Sequence, residues 1–412
     1  MALPSPRAVA AAGDVGGRAR FEVADVVRAY GNEYVRTHPT TGAHRRVLRA
    51  IAACRTAALG GHVEQCDACG QRRIAYNSCR NRHCPKCQGK ERAQWMAGER
   101  AMLLPVPYFH LVFTLPHALN PLIRANRRLL CALLLRSTAR TLATFARDPR
   151  HLGAEPAVTM VLHTWGQTLE EHYHVHCIVS GGGLSGDHRS WVTAPSAQKG
   201  RRPFLFPVKA LSKVFRGKFI AALERAHRLD QLRYLVHSAG LPSCDNLIAR
   251  LRQHHWVVYS KPPFGGPEQV LKYLSRYTHR VAISNRRILF VGDGLVRFEY
   301  RNYADHSRTK QMTLPAGEFL RRFLLHLVPK GFMRIRHYGI TANCHRQRKL
   351  ARCRELLGHT QPPPTTGGES IATRDQGSAA GSDSGAARCP RCGARMRVID
   401  IIAPAAAPHD TS

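Results

Sequence analysis

The sequence predicts a protein of mixed helices and strands with a metal-binding module near its N-terminus. Five of the 13 cysteines fall between Cys66 and Cys87, which indicates the module. Strand-like and helix-like runs alternate after it, and 44% hydrophobic with 22% charged residues is typical of a folded chain. At about 100–200 residues per domain, 412 residues suggest two or three domains.

The charge balance points to a polyanionic partner. The chain has 62 Lys and Arg against 27 Asp and Glu, a net charge of +35, and its pI is about 10.7. Nucleic acid is the usual partner of so basic a surface. No apolar run reaches the roughly 18–20 residues of a membrane-spanning helix, and the N-terminus lacks a signal-peptide pattern. We therefore expect a cytoplasmic protein that binds nucleic acid and no membrane.

The first hundred residues predict helices around the cysteine-rich module. Residues 1–18 are expected to be a disordered tail, and residues 19–100 an N-terminal helical and zinc-binding domain. Apolar residues recur with a helical period over 21–36 and 43–54, and a third helix is expected over 90–104.

Residues 101–357 predict a second domain in which helices and strands alternate. The β-branched and aromatic run at 108–115 predicts a strand that ends at Pro116. A short polar turn joins two further strands, and a Gly-Asp-Gly turn at 292–294 joins another pair. The strands are expected at 157–167, 173–180, 255–259, 281–284, 288–291 and 295–300. The helices are expected at 120–147, 208–229, 267–279 and 314–328.

The composition changes near the C-terminus. Residues 358–387 are rich in Pro, Thr, Gly, Ser and Ala and predict a flexible linker. A Cys-x-x-Cys knuckle, Cys389 and Cys392, follows in 388–412. Cys344 and Cys353 are possible partners for it, and a half-site or a site shared between two chains is equally open.

Two other Cys-x-x-Cys pairs predict a zinc site. An odd number of cysteines in a chain of cytosolic type argues against a disulfide framework. Each pair presents two thiolates from one tight turn, and two such pairs can close a tetrahedral Zn²⁺ site with zinc-ribbon spacing. The predicted ligands are Cys66, Cys69, Cys84 and Cys87.

A second zinc site is predicted from the remaining ligand types nearby. Its proposed ligands are Cys54, His62, Cys79 and His83, although His83 could instead contact phosphate and Cys54 could be a core residue. Arg80, Arg82 and Lys86 lie among these ligands and are predicted DNA-backbone contacts. Three further cysteines are expected in the hydrophobic core: Cys131, Cys177 and Cys244.

A histidine pair predicts a second kind of metal site. His174 and His176 alternate on a strand, so their side chains project to the same face. The pair could also decorate a solvent-exposed face. Gln167, at the end of the preceding strand, is the predicted third ligand, with Glu171 and His172 as competitors. Imidazoles and an amide oxygen suit Mn²⁺ or Mg²⁺.

Two tyrosines one helical turn apart are the candidate nucleophiles. On the helix predicted from Pro267, Tyr273 and Tyr277 would share one face, an arrangement that is also common for tyrosines packed against a core. Lys272, Arg276 and Arg280 are predicted on the same helix, and cations favour the phenolate that attack on a phosphodiester requires. A phosphotyrosine ester would conserve the bond energy for rejoining, in keeping with the absence of a Walker-type phosphate loop.

Taken in order, these motifs resemble the HUH endonucleases (U is a hydrophobic residue), and more fully the two-tyrosine rolling-circle transposases of the insertion sequence 91 family. The resemblance covers roughly residues 20–355. It rests on the motifs Cys54-Arg-Thr, Leu-Gly-Gly-His62, Ser78-Cys-Arg-Asn-Arg-His-Cys-Pro-Lys-Cys87, Phe113-Thr-Leu-Pro116, His163-Thr-Trp-Gly-Gln167, His174-Val-His-Cys177, Gly181-Gly-Gly183, Tyr273-Leu-Ser-Arg-Tyr-Thr-His-Arg280 and Lys330-Gly-Phe-Met-Arg-Ile-Arg-His-Tyr-Gly339.

The resemblance implies an α+β fold with an antiparallel RRM-like sheet, flanking helices and the histidine pair on a central strand. It also implies that Tyr273 and Tyr277 cleave and rejoin single-stranded DNA at the ends of a mobile element, and that the zinc module recognises the terminal DNA. A rolling-circle replication initiator or relaxase with the same chemistry, and a non-catalytic zinc-finger DNA-binding protein, are the alternatives.

The segment 330–355 is predicted to contact DNA. It carries eight Lys and Arg and one acidic residue, with aromatic side chains between them. Phosphate contacts and base stacking would suit a single strand, although a solvated basic helix has the same composition. Lys330, Arg334 and Arg336 are the predicted contacts.

Overall fold

A computed structural model of the chain describes most of the predicted elements. The predicted N-terminal tail, nearly all of the predicted linker and most of the helix predicted from Pro267 lie outside the described residues. The described residues are 20–87, 89–195, 204–233, 243–264, 269–270, 282–303, 305–358 and 387–405.

Helices and strands alternate as the sequence predicts. The helices are α1 (Val23–Thr37), α2 (Gly42–Ala53), α3 (Gly89–Met102), α4 (Asn120–Ala125), α5 (Arg127–Arg147), α6 (Val208–Arg228), α7 (Cys244–Gln253), α8 (Ala316–Leu324) and α9 (Arg346–Leu356). The strands are β1 (Gly61–Cys66), β2 (Arg72–Tyr76), β3 (Tyr108–Thr114), β4 (Glu155–Trp165), β5 (Glu171–Leu184), β6 (Trp191–Thr193), β7 (Val258–Phe264), β8 (Ile288–Gly292), β9 (Leu295–Asn302), β10 (Arg308–Pro315), β11 (Ile335–Gly339) and β12 (Met396–Ile402).

The largest sheet is antiparallel and carries the histidine pair. Its strand order is β11-β4-β5-β3-β7, and the short β6 also pairs with β5. The α+β class with an antiparallel sheet and flanking helices is therefore confirmed. β5, which contains His174 and His176, has neighbours on both sides, as the resemblance implied.

Residues alternate between the two faces of this sheet along each strand. Both sets include apolar side chains, so both faces are covered. On one face, residues such as Phe113, Leu162 and Val175 pack with α5, α6 and α7. On the other face, Val161 and Ile178 join a smaller buried cluster with residues of α9. The histidines share the parity of Val161 and Ile178, so they lie on the second face.

The long helix predicted over 120–147 is interrupted. Asn126 leaves helical geometry and separates α4 from α5. Its side-chain amide instead donates to the backbone oxygens of Leu122 and Arg233. Among the described helices, only α5 is long and apolar enough to cross a membrane by length and composition, and 61% of its apolar window is buried inside the protein. Its apolar side chains therefore contribute to the core.

A second, three-stranded sheet of order β10-β9-β8 packs with α1, α2 and α8 around a separate core. The predicted turn between β8 and β9 is confirmed, because Asp293 and Gly294 have φ values of 50° and 73°, as a type I′ hairpin requires. The helix predicted over 314–328 is too long at both ends, since Leu314 still pairs with Val296 and the helix runs from Ala316 to Leu324. The described part of the strand predicted at 281–284 is not a strand.

A third sheet joins the two ends of the chain. β12, near the C-terminus, pairs antiparallel with β1, which pairs with β2. We call this three-stranded sheet and its two cysteine knuckles the ribbon. Its burial is slight, and its main buried residues are Cys66, Cys389 and Met396.

Candidate functional site

Four cysteines meet beneath the first helices. The Sγ atoms of Cys54, Cys79, Cys84 and Cys87 all lie within 4.8 Å of one another, and we call them the core thiol cluster. The Sγ of Cys87 lies 3.1 Å from that of Cys54 and 3.3 Å from that of Cys79. Cys54, Cys84 and Cys87 are buried in the same hydrophobic core as α1 and α2.

A second set of four cysteines meets at the end of the ribbon. The Sγ atoms of Cys66, Cys69, Cys389 and Cys392 also lie within 4.8 Å of one another, and we call them the ribbon thiol cluster. The Cys66–Cys392 and Cys69–Cys389 distances are 3.4 and 3.6 Å. The C-terminal knuckle thus completes the first N-terminal one.

The predicted grouping of cysteines is therefore wrong. Cys66 and Cys69 do not share a site with Cys84 and Cys87, because strand β1 separates them. The Asn77 end of the β1–β2 hairpin lies beside α2, where its carbonyl accepts the Arg55 N–H. At about 3.3 Å per residue, a strand of six residues carries Cys66 roughly 17 Å from that end.

The two predicted histidine ligands do not join either cysteine set. The His62 Nε2 lies 3.2 Å from the Glu64 Oε1 on the same strand. His83 is buried, and its Nε2 accepts the Val328 N–H at 3.3 Å. Burial lowers the pKa of His83 to about 3, so the ring is a neutral acceptor. His83 therefore binds the backbone of Val328, and it does not match the predicted role of zinc ligand or that of phosphate contact.

Hydrogen bonds between the sulfurs and with nearby backbone lower the pKa of some thiols in each cluster and raise that of others, to about 12 for Cys392 and for Cys79. In the ribbon, the backbone N–H groups of Cys392 and Arg391 lower the pKa of Cys389 to about 6. In the core cluster, hydrogen bonds with Cys79 and Cys84 lower the pKa of Cys54 to about 2. Each cluster has four cysteines, and their sulfurs are close to the roughly 3.8 Å spacing of a tetrahedral site with Zn–S bonds of about 2.3 Å, so both clusters fit Zn²⁺.

Three histidines converge on the second face of the large sheet. His163 on β4 lies directly opposite His174 on β5, and His176 is two residues further along β5. Their ring nitrogens lie within 4.8 Å of one another. The Nε2 atoms of His174 and His176 are 3.1 Å apart. Two ligands at right angles around an octahedral ion, each about 2.1 Å from it, would be about 3.0 Å apart.

Neighbouring groups can fix the orientation of these rings. The Nδ1 of His174 lies 2.8 Å from the backbone oxygen of His172, and the Nδ1 of His176 lies 2.9 Å from the Nε2 of His110. Both contacts leave Nε2 facing the centre of the triad. Burial lowers the pKa of His174 and His176 well below the usual value. Neutral imidazoles with a free lone pair are the form that binds metal.

Gln167 does not match the predicted role of third ligand. Its Nε2 lies 3.4 Å from the Tyr303 hydroxyl, and its Oε1 accepts the Arg301 N–H at 3.4 Å. The chain leaves β4 after Trp165, so the alternation that aims His163 at the pair does not extend to Gln167. Of the competitors, Glu171 is bound to Arg124 at 2.6 Å. His163 lies on β4 directly opposite His174. Counting residues back along β4 from the turn between β4 and β5 would therefore have predicted His163 as the third ligand.

The same face continues to the edge of the sheet. On β3, Val112 lies opposite both His176 and Tyr259, and His110 lies opposite Lys261. Tyr259 is 49% exposed, and Lys261 is also exposed. The Lys261 ammonium is close enough to contribute to the lowered pKa of His176 and His110, after their burial. An exposed cation and an exposed aromatic ring therefore flank the triad.

The candidate nucleophiles, Tyr273 and Tyr277, lie outside the described residues, as do Lys272, Arg276 and Arg280. Val270, just before them, is helical and fully buried. It packs in the cluster that contains Val161 and Ile178, on the histidine face of the sheet.

The predicted DNA contacts occupy different surroundings. Arg80 and Lys330 are exposed, whereas Lys86 forms an ion pair with Glu22 at 2.7 Å. Arg82 is half-buried and donates to the Phe332 backbone oxygen at 2.9 Å, and the Arg336 guanidinium lies 5.6 Å from the centroid of the Phe332 ring. Arg334 does not fit a surface contact, because it is only 9% exposed and burial lowers its pKa to about 10.

Comparison with known proteins places this arrangement in a family. A family model described as "Transposase zinc-binding domain" matches residues 26–115, and one described as "Putative transposase" matches residues 157–349. The chain is 51% identical over 348 residues to "Putative transposase y4qJ" of Sinorhizobium fredii, an alignment that covers 84% of this chain and 86% of the relative.

A second relative is the transposase for insertion sequence element IS801 of Pseudomonas savastanoi pv. phaseolicola. It is 30% identical over 319 residues, which cover 76% of this chain and 74% of the relative. The chain belongs to the insertion sequence 91 family of transposases. No solved structure matches it. This transposase therefore acts on DNA as a DNA-cleaving enzyme, and its zinc-binding domain and cysteine clusters indicate zinc as a cofactor.

Proposed function

We propose that this transposase acts in the cytoplasm, cleaving and rejoining single-stranded DNA at the ends of an insertion sequence by a rolling-circle mechanism with a 5′-phosphotyrosine intermediate. The observation that carries the proposal is the triad of His163, His174 and His176 on adjacent central strands. A zinc-finger protein without chemistry has no use for three imidazoles converging on a second, thiol-free site.

The donor set selects among divalent ions. Mg²⁺ prefers oxygen ligands, whereas imidazoles also suit transition metals. Replacing the predicted amide oxygen with the ring of His163 therefore shifts the preference from Mg²⁺ towards Mn²⁺. When bound, the ion would polarise the scissile phosphate and help to orient it.

The nucleophile is assigned to Tyr273 or Tyr277. Val270 anchors the start of their segment on the histidine face, three and seven residues before the two tyrosines. The phenolate oxygen would attack phosphorus, the bond from phosphorus to the 3′ oxygen would break, and the 3′ oxygen would leave with a proton as a hydroxyl. In the second step, a 3′-hydroxyl would attack the phosphotyrosine and release the tyrosine.

Residues at the sheet edge suit a single strand of DNA. The exposed Lys261 can bind a backbone phosphate beside the triad, and the exposed ring of Tyr259 can stack on a base. Base–aromatic stacking of this kind contributes about 1–3 kcal/mol per base and tolerates any sequence. Duplex DNA keeps its bases stacked internally, so this surface favours unpaired DNA.

The domain assignment follows the same division of labour. We assign residues 19–100 to a zinc-binding domain that recognises terminal DNA and residues 101–357 to the catalytic domain, joined through 358–387 to the C-terminal knuckle. Exposed basic residues, including Arg80 and Lys330, are the proposed phosphate contacts outside the catalytic face.

The test is an adduct assay with purified protein, Mn²⁺ and single-stranded oligonucleotides from the element's ends. A covalent protein–DNA adduct that survives denaturant is expected for wild type. Tyr273→Phe and Tyr277→Phe are tested singly and together, and the double variant is expected to form no adduct. Tyr76→Phe, which changes an exposed tyrosine of the ribbon, is the matched control.

The results of this assay distinguish between the candidate nucleophiles and between the candidate classes of protein. Adduct formation by the double variant would remove both tyrosines from the proposal, and loss of the adduct in Tyr259→Phe alone would identify the exposed sheet tyrosine as the nucleophile. A protein that forms no adduct on any terminal oligonucleotide would be the non-catalytic binder. A replication initiator or relaxase would form the adduct at a plasmid origin in preference to an element end.

A further inference from the structure

Neither family match includes the C-terminal knuckle, because the matches cover residues 26–115 and 157–349, and Cys389 and Cys392 lie beyond them. We propose that Cys66, Cys69, Cys389 and Cys392 form one structural Zn²⁺ site that closes a zinc ribbon from the two ends of the chain. This inference does not depend on the proposed DNA chemistry.

The two knuckles have the same local structure. Each is a Cys-x-x-Cys-Gly sequence, and each glycine has a positive φ, 68° at Gly70 and 75° at Gly393. The Gly70 N–H donates to the Cys66 oxygen at 3.1 Å, and the Gly393 N–H donates to the Cys389 oxygen at 2.9 Å.

A further hydrogen bond is also repeated. The Cys66 N–H donates to the Gln71 oxygen and the Cys389 N–H to the Ala394 oxygen, at 2.9 and 2.8 Å. Knuckles with this repeated turn present two sulfurs each, and a tetrahedral site needs two pairs.

The sulfurs are separated as metal ligands rather than as disulfides. The contacts that cross between the knuckles are 3.4, 3.5 and 3.6 Å. A disulfide bond is about 2.05 Å long, whereas sulfurs around a tetrahedral Zn²⁺ with bonds of about 2.3 Å are roughly 3.8 Å apart. Movements of a few tenths of an ångström would seat the ion.

The surrounding sheet is built to bring the two knuckles together. β12 pairs with β1 from Gly61 opposite Ile402 to Cys66 opposite Met396. Gly60 permits this approach, because a Cβ there would lie 2.5 Å from the Ile402 backbone oxygen. Asp67, inside the first knuckle, pairs with Arg397 of β12 at 3.1 Å.

The ribbon also lacks an apolar core that could hold it without a metal. Apart from the buried Met396, several of its large apolar side chains point outwards, with Ile74 54%, Val398 56% and Ile401 80% exposed. Small modules with too little core are commonly stabilised by a structural metal, whose binding free energy is then folding free energy. The four thiols are the available source of that stabilisation within the described part of the ribbon.

The zinc content of the full-length, reduced protein tests the site. Cys389→Ser/Cys392→Ser is expected to hold one Zn²⁺ per chain fewer than wild type. Cys344→Ser, which removes an exposed cysteine outside both clusters, is the control and is expected to hold as much as wild type. Cys79→Ser/Cys84→Ser is expected to lose a different zinc, so that all four substitutions together lose two. Equal zinc in wild type and the Cys389→Ser/Cys392→Ser variant would overturn the proposal.

A measurement on wild type avoids any folding defect of the variants. Thiol alkylation followed by mass spectrometry should show Cys344 reactive at once. Cys66, Cys69, Cys389 and Cys392 should become reactive together as a zinc chelator is added. Reaction of Cys389 and Cys392 before any chelator, at the rate of Cys344, would contradict the site. Neither experiment measures DNA cleavage, so the outcome is separate from that of the proposed function.

Discussion

The ribbon and the histidine face bring their proposed metal ligands together in opposite ways. In the ribbon, Cys66 and Cys389 belong to a cluster with almost no other buried side chain. On the large sheet, His163 and His174 occupy strands that are paired and covered on both faces before any metal is considered. The metal is therefore expected to hold the fold together in the ribbon, whereas on the sheet the fold holds the metal ligands in place.

Zinc removal is expected to have the largest effect, and it should unfold the ribbon while the large sheet stays folded. A structural Zn²⁺ contributes roughly 10–16 kcal/mol of apparent binding free energy in small zinc modules. Chelation should therefore abolish the hydrogen-exchange protection of β1, β2 and β12 while β3, β4 and β5 stay protected. Hydrogen exchange read by mass spectrometry checks this, and a ribbon that stays protected without zinc would remove the contrast.

Loss of a histidine ligand should have the opposite signature. His176→Ala is expected to reduce adduct formation at least about a thousand-fold, since a metal's charge stabilisation contributes several kcal/mol. The thermal midpoint should shift by no more than about 4 °C, because the packing of the sheet remains. Activity and thermal unfolding are measured on the same preparations, and a large loss of stability with little loss of activity would reverse the assignment.

The third ligand can be identified by a matched pair of variants. His163→Ala is expected to lower adduct formation about a hundred-fold or more, as removal of a metal ligand should. Gln167→Ala is expected to lower it less than about ten-fold, because its amide contacts Tyr303 and Arg301. Adduct yield against Mn²⁺ concentration is the readout, and the reverse order would restore Gln167 as the ligand.

His110 is expected to position His176 rather than to bind metal itself. Its Nε2 lies 2.9 Å from the Nδ1 of His176, and loss of such a supporting hydrogen bond typically lowers metal affinity about 10–100-fold. His110→Phe should therefore need 10–100 times more Mn²⁺ for half-maximal adduct, with the yield recovering at high Mn²⁺. A yield that stays low at every Mn²⁺ concentration would indicate a direct role.

The smallest effect is expected from the ion pair across the ribbon. Asp67 and Arg397 are both largely exposed, and pairs of this kind contribute about 0–1 kcal/mol. Asp67→Asn should therefore destabilise the zinc-loaded ribbon by less than about 1 kcal/mol in denaturant unfolding. A loss as large as that from Cys389→Ser/Cys392→Ser would mean that side-chain pairing, and not metal, holds β12 in place.

The strands that carry the histidines could be predicted because their pattern is local. Alternation at two-residue intervals identified the strand of His174 and His176, and the β-branched run identified β3. The partition of the cysteines could not be predicted in the same way. Cys66 with Cys69, and Cys84 with Cys87, form two Cys-x-x-Cys pairs with zinc-ribbon spacing. That spacing does not decide whether each pair closes a site with the other pair or with cysteines elsewhere in the chain.

By itself, the sequence determined the ligand types, the knuckle turns, the strand alternation and the transposase motifs, because each depends on residues within a few positions of one another. The tertiary structure alone decided that Cys389 meets Cys69, 320 residues away, and that His163 meets His174 across a hairpin. Metal coordination depends on distance through space, and only the pairing of β12 with β1 and of β4 with β5 sets those distances.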